Sequence, residues 1–101
     1  MKREVAVALL KAHASELRAL GVVSLSLFGS TARDEASDAS DIDIAITLLP
    51  GPEKGLGYLG RIDDLKDRLS AMLGHPVDLI VEPTSRPRIQ QEIDRDRHFA
   101  F

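Results

Sequence analysis

The chain has 101 residues, 44% of them hydrophobic and 29% charged, and its 13 basic and 16 acidic side chains leave a formal net charge of −3. This size predicts one domain over residues 1–101, and the acidic balance excludes a protein that coats nucleic acid through basic charge, so no direct nucleic-acid contact is expected. Aromatic residues make up 4% and cysteine is absent, so the core falls to Leu, Ile, Val and Ala, and disulfides, thiolate zinc sites and a cysteine nucleophile are excluded. Met1-Lys2-Arg3-Glu4 runs into an amphipathic pattern rather than an apolar leader, and no stretch is long enough to span a membrane. A cytoplasmic location without membrane contact is the expectation.

The first predicted helix covers residues 2–20, with Val5, Ala8, Leu9, Ala12, Leu17 and Leu20 as its apolar stripe and Gly21 just past its end. Residues 22–28 alternate as a half-buried strand, placing Val23, Leu25 and Leu27 on one face and Ser24, Ser26 and Phe28 on the other. Gly29-Ser30 turns the chain into a helix of one to two turns, and Asp34–Ser40 follows as a polar loop. A second strand spans 41–48: Ile42, Ile44 and Ile46 face the core and Asp41 and Asp43 the opposite side. Pro50-Gly51-Pro52 ends it, and residues 53–60 read as a flexible loop. A helix over 61–73 carries Ile62, Leu65, Leu69 and Met72, with Gly74 and Pro76 stopping it. Residues 77–81 form a third strand, and Pro87 opens a last helix with a thin stripe at Ile89 and Ile93. The order αβαβαβα predicts an α/β (α+β) fold: a small mixed sheet backed by helices, with one face open and the carboxylates on it.

Three aspartates and a small-residue turn carry the chemistry. Asp41 and Asp43 occupy same-face positions at the head of an apolar strand, where like charges repel unless a cation lies between them, and no Lys or Arg is near in sequence. Asp78 is a lone charge in the apolar run Val77–Val81 and must be paired, neutralised or metal-bound. Its simplest alternative is an ion pair with Arg33 or Arg61. If the third strand lies beside the second, the three carboxylates converge and can hold two Mg²⁺ ions for in-line phosphoryl or nucleotidyl transfer. At Gly29-Ser30, glycine permits close backbone approach, while the hydroxyl and the N–H groups that follow can hold phosphate oxygens.

Gly29-Ser30, ten intervening residues and Asp41-Ile42-Asp43, with Ala32-Arg33 and Ser40 in the pattern Gly-Ser-x-Ala-Arg…Ser-Asp-x-Asp, resemble the signature of minimal nucleotidyltransferases of the DNA polymerase beta superfamily, including the MntA-like antitoxins. Val77-Asp78-Leu79 is similar to the strand bearing the family's third carboxylate, and Glu92-Ile93-Asp94-Arg95 with Phe99-Ala100-Phe101 to the family's ending. The resemblance implies a polymerase-beta-like fold and attack of a hydroxyl on the α-phosphorus of ATP or another NTP with release of pyrophosphate. Asp41, Asp43 and Asp78 are then the metal and catalytic ligands, with Asp78 helping to deprotonate the attacking hydroxyl. Gly29, Ser30, Arg33 and Ser40 form the nucleotide side, with Arg33 either touching substrate or bracing the carboxylate loop. Mg²⁺ is implied, two ions, with Mn²⁺ able to substitute. The resemblance also implies an antitoxin in a hetero-oligomer with a HEPN-domain toxin, AMP being added to a toxin tyrosine; Phe99 and Phe101 are candidate contacts. The competing expectations are a non-catalytic antitoxin that occludes its partner, and transfer to a small molecule such as an aminoglycoside. One departure is Asp34, where the family commonly has glycine; its charge either weakens nucleotide binding or pairs with Arg33.

Gly55-x-Gly57-x-x-Gly60 matches the dinucleotide-binding pattern but does not follow its strand directly, so it is read as a loop near the nucleotide mouth, with Tyr58 a stacking group and Lys54 a phosphate contact. Asp38–Asp43 lacks the glycine and spaced oxygens of an EF-hand, and His13, His75 and His98 lack metal-ligand spacing.

Overall fold

The computed structural model describes residues 1–52 and 54–101. Glu53, the start of the expected 53–60 loop, lies outside the described residues. The elements run α1 (Arg3–Ala12), α2 (Ala14–Ala19), β1 (Val22–Phe28), α3 (Gly29–Ala32), β2 (Ile42–Leu48), α4 (Leu56–Leu73), β3 (Val77–Val81), α5 (Pro87–Asp96) and β4 (His98–Phe99). The sheet has the order β3-β2-β1-β4, with β2 and β3 parallel and both other pairings antiparallel. The expected mixed sheet is present, with a fourth strand that sequence periodicity did not show. Two residues are too few to display alternation; β4 exists because Ser26 and Leu27 offer it an edge.

One face of the sheet is dry. Leu25, Leu27, Ile42, Ile44, Ile46 and Val77 are each at most 2% exposed and pack with Leu10, Leu17, Leu65 and Leu69 from the helices. The expected single helix over 2–20 breaks at His13, whose N–H turns to the Leu10 carbonyl at 3.2 Å. Its buried arc is Ala6 and Leu10, flanked by the partly buried Val7 and Leu9, rather than Val5, Ala8 and Ala12. On a 100° per residue wheel the latter three fall outside that arc, and Val5 is left in solvent. Val23 is exposed as well, because a register shift between Val22 and Ser24 inserts an extra residue and moves Val22 to the core side. The 18-residue α4 begins at Leu56, so the latter part of the expected loop is helical.

The second face is not open along its whole length. Helix α5 lays Ile93 on Phe28, Ala45 and Ile80, with Ile89 beside them, and so covers part of the face that also carries Asp43 and Asp78.

Candidate active site

Strand β2 sets Asp43 directly opposite Asp78 on β3, and register partners on adjacent strands project to the same face. Asp41 stands two residues earlier, immediately before β2, and joins them on the face opposite Ile42 and Ile44. Strand β1 sets Phe28 opposite Asp43, so the chain turns from β1 into α3 right beside this carboxylate. Gly29 has φ +68°, and a Cβ there would collide with the Asp43 carboxylate. Glycine is thus required both by backbone conformation and by contact. The structure brings Asp41, Asp43, Asp78 and the Gly29-Ser30 turn to one corner.

The corner concentrates negative charge. Asp43 is pushed up to about 6, by burial first and then by the charges of Asp78, Asp41 and Glu92, with Arg33 opposing them. Among the described residues no ion pair involves Asp41, Asp43 or Asp78. The arginines that offered Asp78 a simpler explanation are engaged elsewhere: Arg33 with Asp96 and Glu35, Arg61 with the Leu20 and Leu49 carbonyls. Among the described residues no three acidic or histidine side chains converge into a ready-made metal cage. The donor set nevertheless suits a hard divalent cation, since it consists of carboxylate oxygens whose mutual repulsion raises Asp43.

Glu92 is the acidic group that reasoning from the strands missed as a site residue. It follows Ile89 by three and precedes Ile93 by one on α5, so it borders the stripe that packs on the sheet. Asking which acid flanks that stripe would have found it.

The remaining expected residues hold the surrounding loops. Arg33 caps the end of α3, and its guanidinium donates to Asp96 at 2.6 Å and to Glu35 at 3.2 Å. Ser40 Oγ accepts from the Ser37 N–H at 3.1 Å and closes the loop before Asp41. Asp34 does not pair with Arg33. It has φ +60° and accepts the Arg3 N–H at 3.0 Å, and that left-handed backbone is the physical reason glycine suits the position.

The Gly55–Gly60 segment is far from this corner. Arg61 ties the start of α4 to Leu20 and Leu49, at the opposite end of β2 and about 20 Å along it from Asp43. Tyr58, in the first turns of α4, therefore stands at that end and not beside the acidic corner. A groove of about 460 Å³ lies at that far end, between Leu20, Leu49, Pro50, Pro52 and Arg61. Its one cation among the described lining residues, Arg61, is spent on the Leu20 and Leu49 carbonyls, and Asp64 is the one acid among them, so the acidic corner is the better candidate.

Residues 10–99 match the model of the nucleotidyltransferase domain family. The chain is 38% identical over 76 residues to a provisionally named protein adenylyltransferase of Methanocaldococcus jannaschii, covering 74% of this chain and 72% of that protein. It is 34% identical over 89 residues to the protein adenylyltransferase MntA of Thermococcus cleftensis, covering 87% and 85%. Among solved structures it superposes on a provisionally named minimal nucleotidyltransferase with TM-score 0.76 at 31% identity, covering 97% of this chain and 95% of the other. The fold is shared at TM-score 0.64 and 19% identity, covering 94% and 71%, with a chain from a complex of tri-AMPylated Shewanella oneidensis HEPN toxin and its MNT antitoxin. The chain belongs to the nucleotidyltransferase domain family and is a nucleotidyltransferase.

Proposed function

We propose that residues 1–101 act as one domain that moves AMP from ATP to a tyrosine hydroxyl of a HEPN-domain toxin, and that this modification is how the chain serves as an antitoxin. The observation that carries the reading is the abutment of Gly29 on Asp43, with Asp78 in register beside it. It puts an anion-accepting turn against cation-attracting oxygens. The names of the relatives support protein adenylyl transfer, and the Shewanella complex supports a HEPN partner.

In this reading Gly29 and Ser30 receive the β and γ phosphates through backbone N–H groups and the Ser30 hydroxyl. Asp41 and Asp43 would hold the Mg²⁺ that carries the triphosphate, and Asp78 would complete a second site. Bound there, the metal supplies charge neutralisation for the phosphates. Asp78 takes the proton of the attacking hydroxyl. The acceptor oxygen bonds to the α-phosphorus as the bond from that phosphorus to the β-bridging oxygen breaks, and pyrophosphate leaves with the electron pair. Positioning and electrostatics provide most of the rate. ATP as donor points to the cytoplasm as the compartment. Among the described residues no helix is long and apolar enough to cross a membrane.

The test is transfer of α-labelled ATP to the purified toxin partner. Wild type is expected to label it, and Asp43→Ala to lose at least about a hundredfold of that activity. Equal neutralisation of the toxin by both proteins, with no label transferred by either, would establish occlusion without catalysis instead.

A further inference from the structure

We propose that Arg33 and Asp96 form a strut that positions the Gly29-Ser30 turn, so that Arg33 serves the nucleotide through the turn and does not itself touch phosphate. This rests on the nucleotide-binding reading of the turn given above.

Helix α3 has four residues, too few to hold its own shape, so its geometry must come from what it is fastened to. Three fastenings are visible. Two of its own residues, Thr31 and Ala32, are buried. Arg3 reaches it from α1, donating to the Ala32 carbonyl at 3.0 Å through its guanidinium and to Asp34 at 3.0 Å through its backbone N–H. Arg33, at its end, donates to Asp96 of α5.

The third fastening ties the turn to the helix that covers the site. The Asp96 side chain is only 5% exposed, and a carboxylate so enclosed depends on its charged partners. Its other partner, Arg95, is 66% exposed and approaches from solvent, whereas Arg33 is the one that links two elements. Asp96 follows Glu92 by one helical turn, about 6 Å along α5. Helix α5 is fixed in turn by Ile93 on Phe28 and Ala45, the sheet positions next to Gly29 and Asp43. The Arg33–Asp96 pair thus closes a loop of contacts running from the turn to α5, to the sheet and back to the acidic corner. A guanidinium turned toward triphosphate would give up Asp96 and Glu35 together and open that loop.

Two measurements on Arg33→Gln, Asp96→Asn, the double variant and Arg33→Lys test this. The first is amide hydrogen exchange at Ser30–Arg33 in nucleotide-free protein, and the second is the Kd for ATP with Mg²⁺. Each single variant is expected to speed exchange by about tenfold and to raise the Kd by about fivefold, and the double variant to be no worse than either. Arg33→Lys keeps the charge and one hydrogen bond, folds, and should fall between wild type and Arg33→Gln in both. A direct phosphate contact predicts otherwise: Asp96→Asn would leave exchange and Kd unchanged or tighten binding, while Arg33→Gln alone weakens it. That pattern, or wild-type exchange in Arg33→Lys with weakened ATP binding, overturns the strut. If wild type itself binds no ATP, the nucleotide reading fails separately, and the exchange rates still decide whether the strut exists.

Discussion

The face of the sheet under α5 has two ends built on opposite principles. At one end Glu82 is held by Arg97 and by Gln90 Nε2 at 3.0 Å, and Arg97 also donates to the fully buried Ser26 hydroxyl at 3.2 Å. The Arg97 hydrogen bond is the main reason that Glu82 titrates below the usual carboxylate range, against the effect of burial. At the other end Asp43 is raised by burial and by Asp78, Asp41 and Glu92, and the described residues provide no ion pair to offset them. One region satisfies every charge internally and gains rigidity. The other keeps charges of one sign together, an arrangement that costs stability and is suited to a ligand that brings the opposite charge.

The largest expected effect comes from disturbing the contact that joins turn to carboxylate. Gly29→Ala adds a Cβ where Asp43 lies and forces alanine to φ +68°. We expect nucleotidyl transfer to fall by about a hundredfold, because small displacements of reacting groups are costly. Gly60→Ala is the control: it lies in α4, among the described residues nothing beyond its own stretch of helix comes within 4 Å of its added Cβ, and it should leave transfer unchanged while slightly raising stability. Equal activity in the two variants would remove the turn from the site.

Breaking the satisfied end should have the reverse signature. Arg97→Ala leaves Glu82, whose side chain is 13% exposed, without its cation, and Ser26 without its donor. Urea unfolding should show a loss of about 2 kcal/mol, with ATP affinity changed much less than stability. A stable Arg97→Ala protein would mean that this network contributes little to the fold.

The two ends also differ in how readily a sequence discloses them. Asp41, Asp43 and Asp78 could be read because strand alternation is a two-residue rule, Asp43 and Asp78 interrupt apolar runs, and Asp41 heads one of them. The pairing of Asp43 with Asp78 depended only on β3 lying beside β2, which it does. The Gly29-Ser30 turn was legible through its interval to Asp41. Helix α5 was visible from Pro87 and its two isoleucines, but not the face it would cover, since a short stripe does not name the surface it seeks. Glu92 was therefore passed over as a site residue, and the sheet was expected to stay open. The same limit hid the partners of Arg33 and Arg97: Asp96 and Ser26 are 63 and 71 residues away from them in the chain. The misplaced Gly55–Gly60 segment has another cause, because the loop-like composition of Gly-rich residues concealed the first turns of α4.

The smallest expected effect is also the most direct comparison of charge at the acidic end. Asp43 has its folded-state value raised to about 6 from 3.8, so the folded protein binds this proton more tightly than the unfolded chain does. The resulting stability is fully present below pH ~4 and is lost as pH rises through about 6. Two pKa units would correspond to about 3 kcal/mol, but solvent screening at a half-exposed carboxylate reduces this to about 1 kcal/mol. Asp43→Asn carries no such proton, so comparing its melting curves with those of wild type reads the titration of Asp43 together with the carboxylates coupled to it. Without metal, wild type should lose about 1 kcal/mol relative to Asp43→Asn between pH 4 and pH 7. Millimolar Mg²⁺ competes with the proton, so it should restore wild type progressively above pH 6 and leave Asp43→Asn nearly unaffected. Parallel melting curves across this range, with and without Mg²⁺, would show that the acidic end carries no more strain than the paired one, and its candidacy as the reaction centre would lose its electrostatic basis.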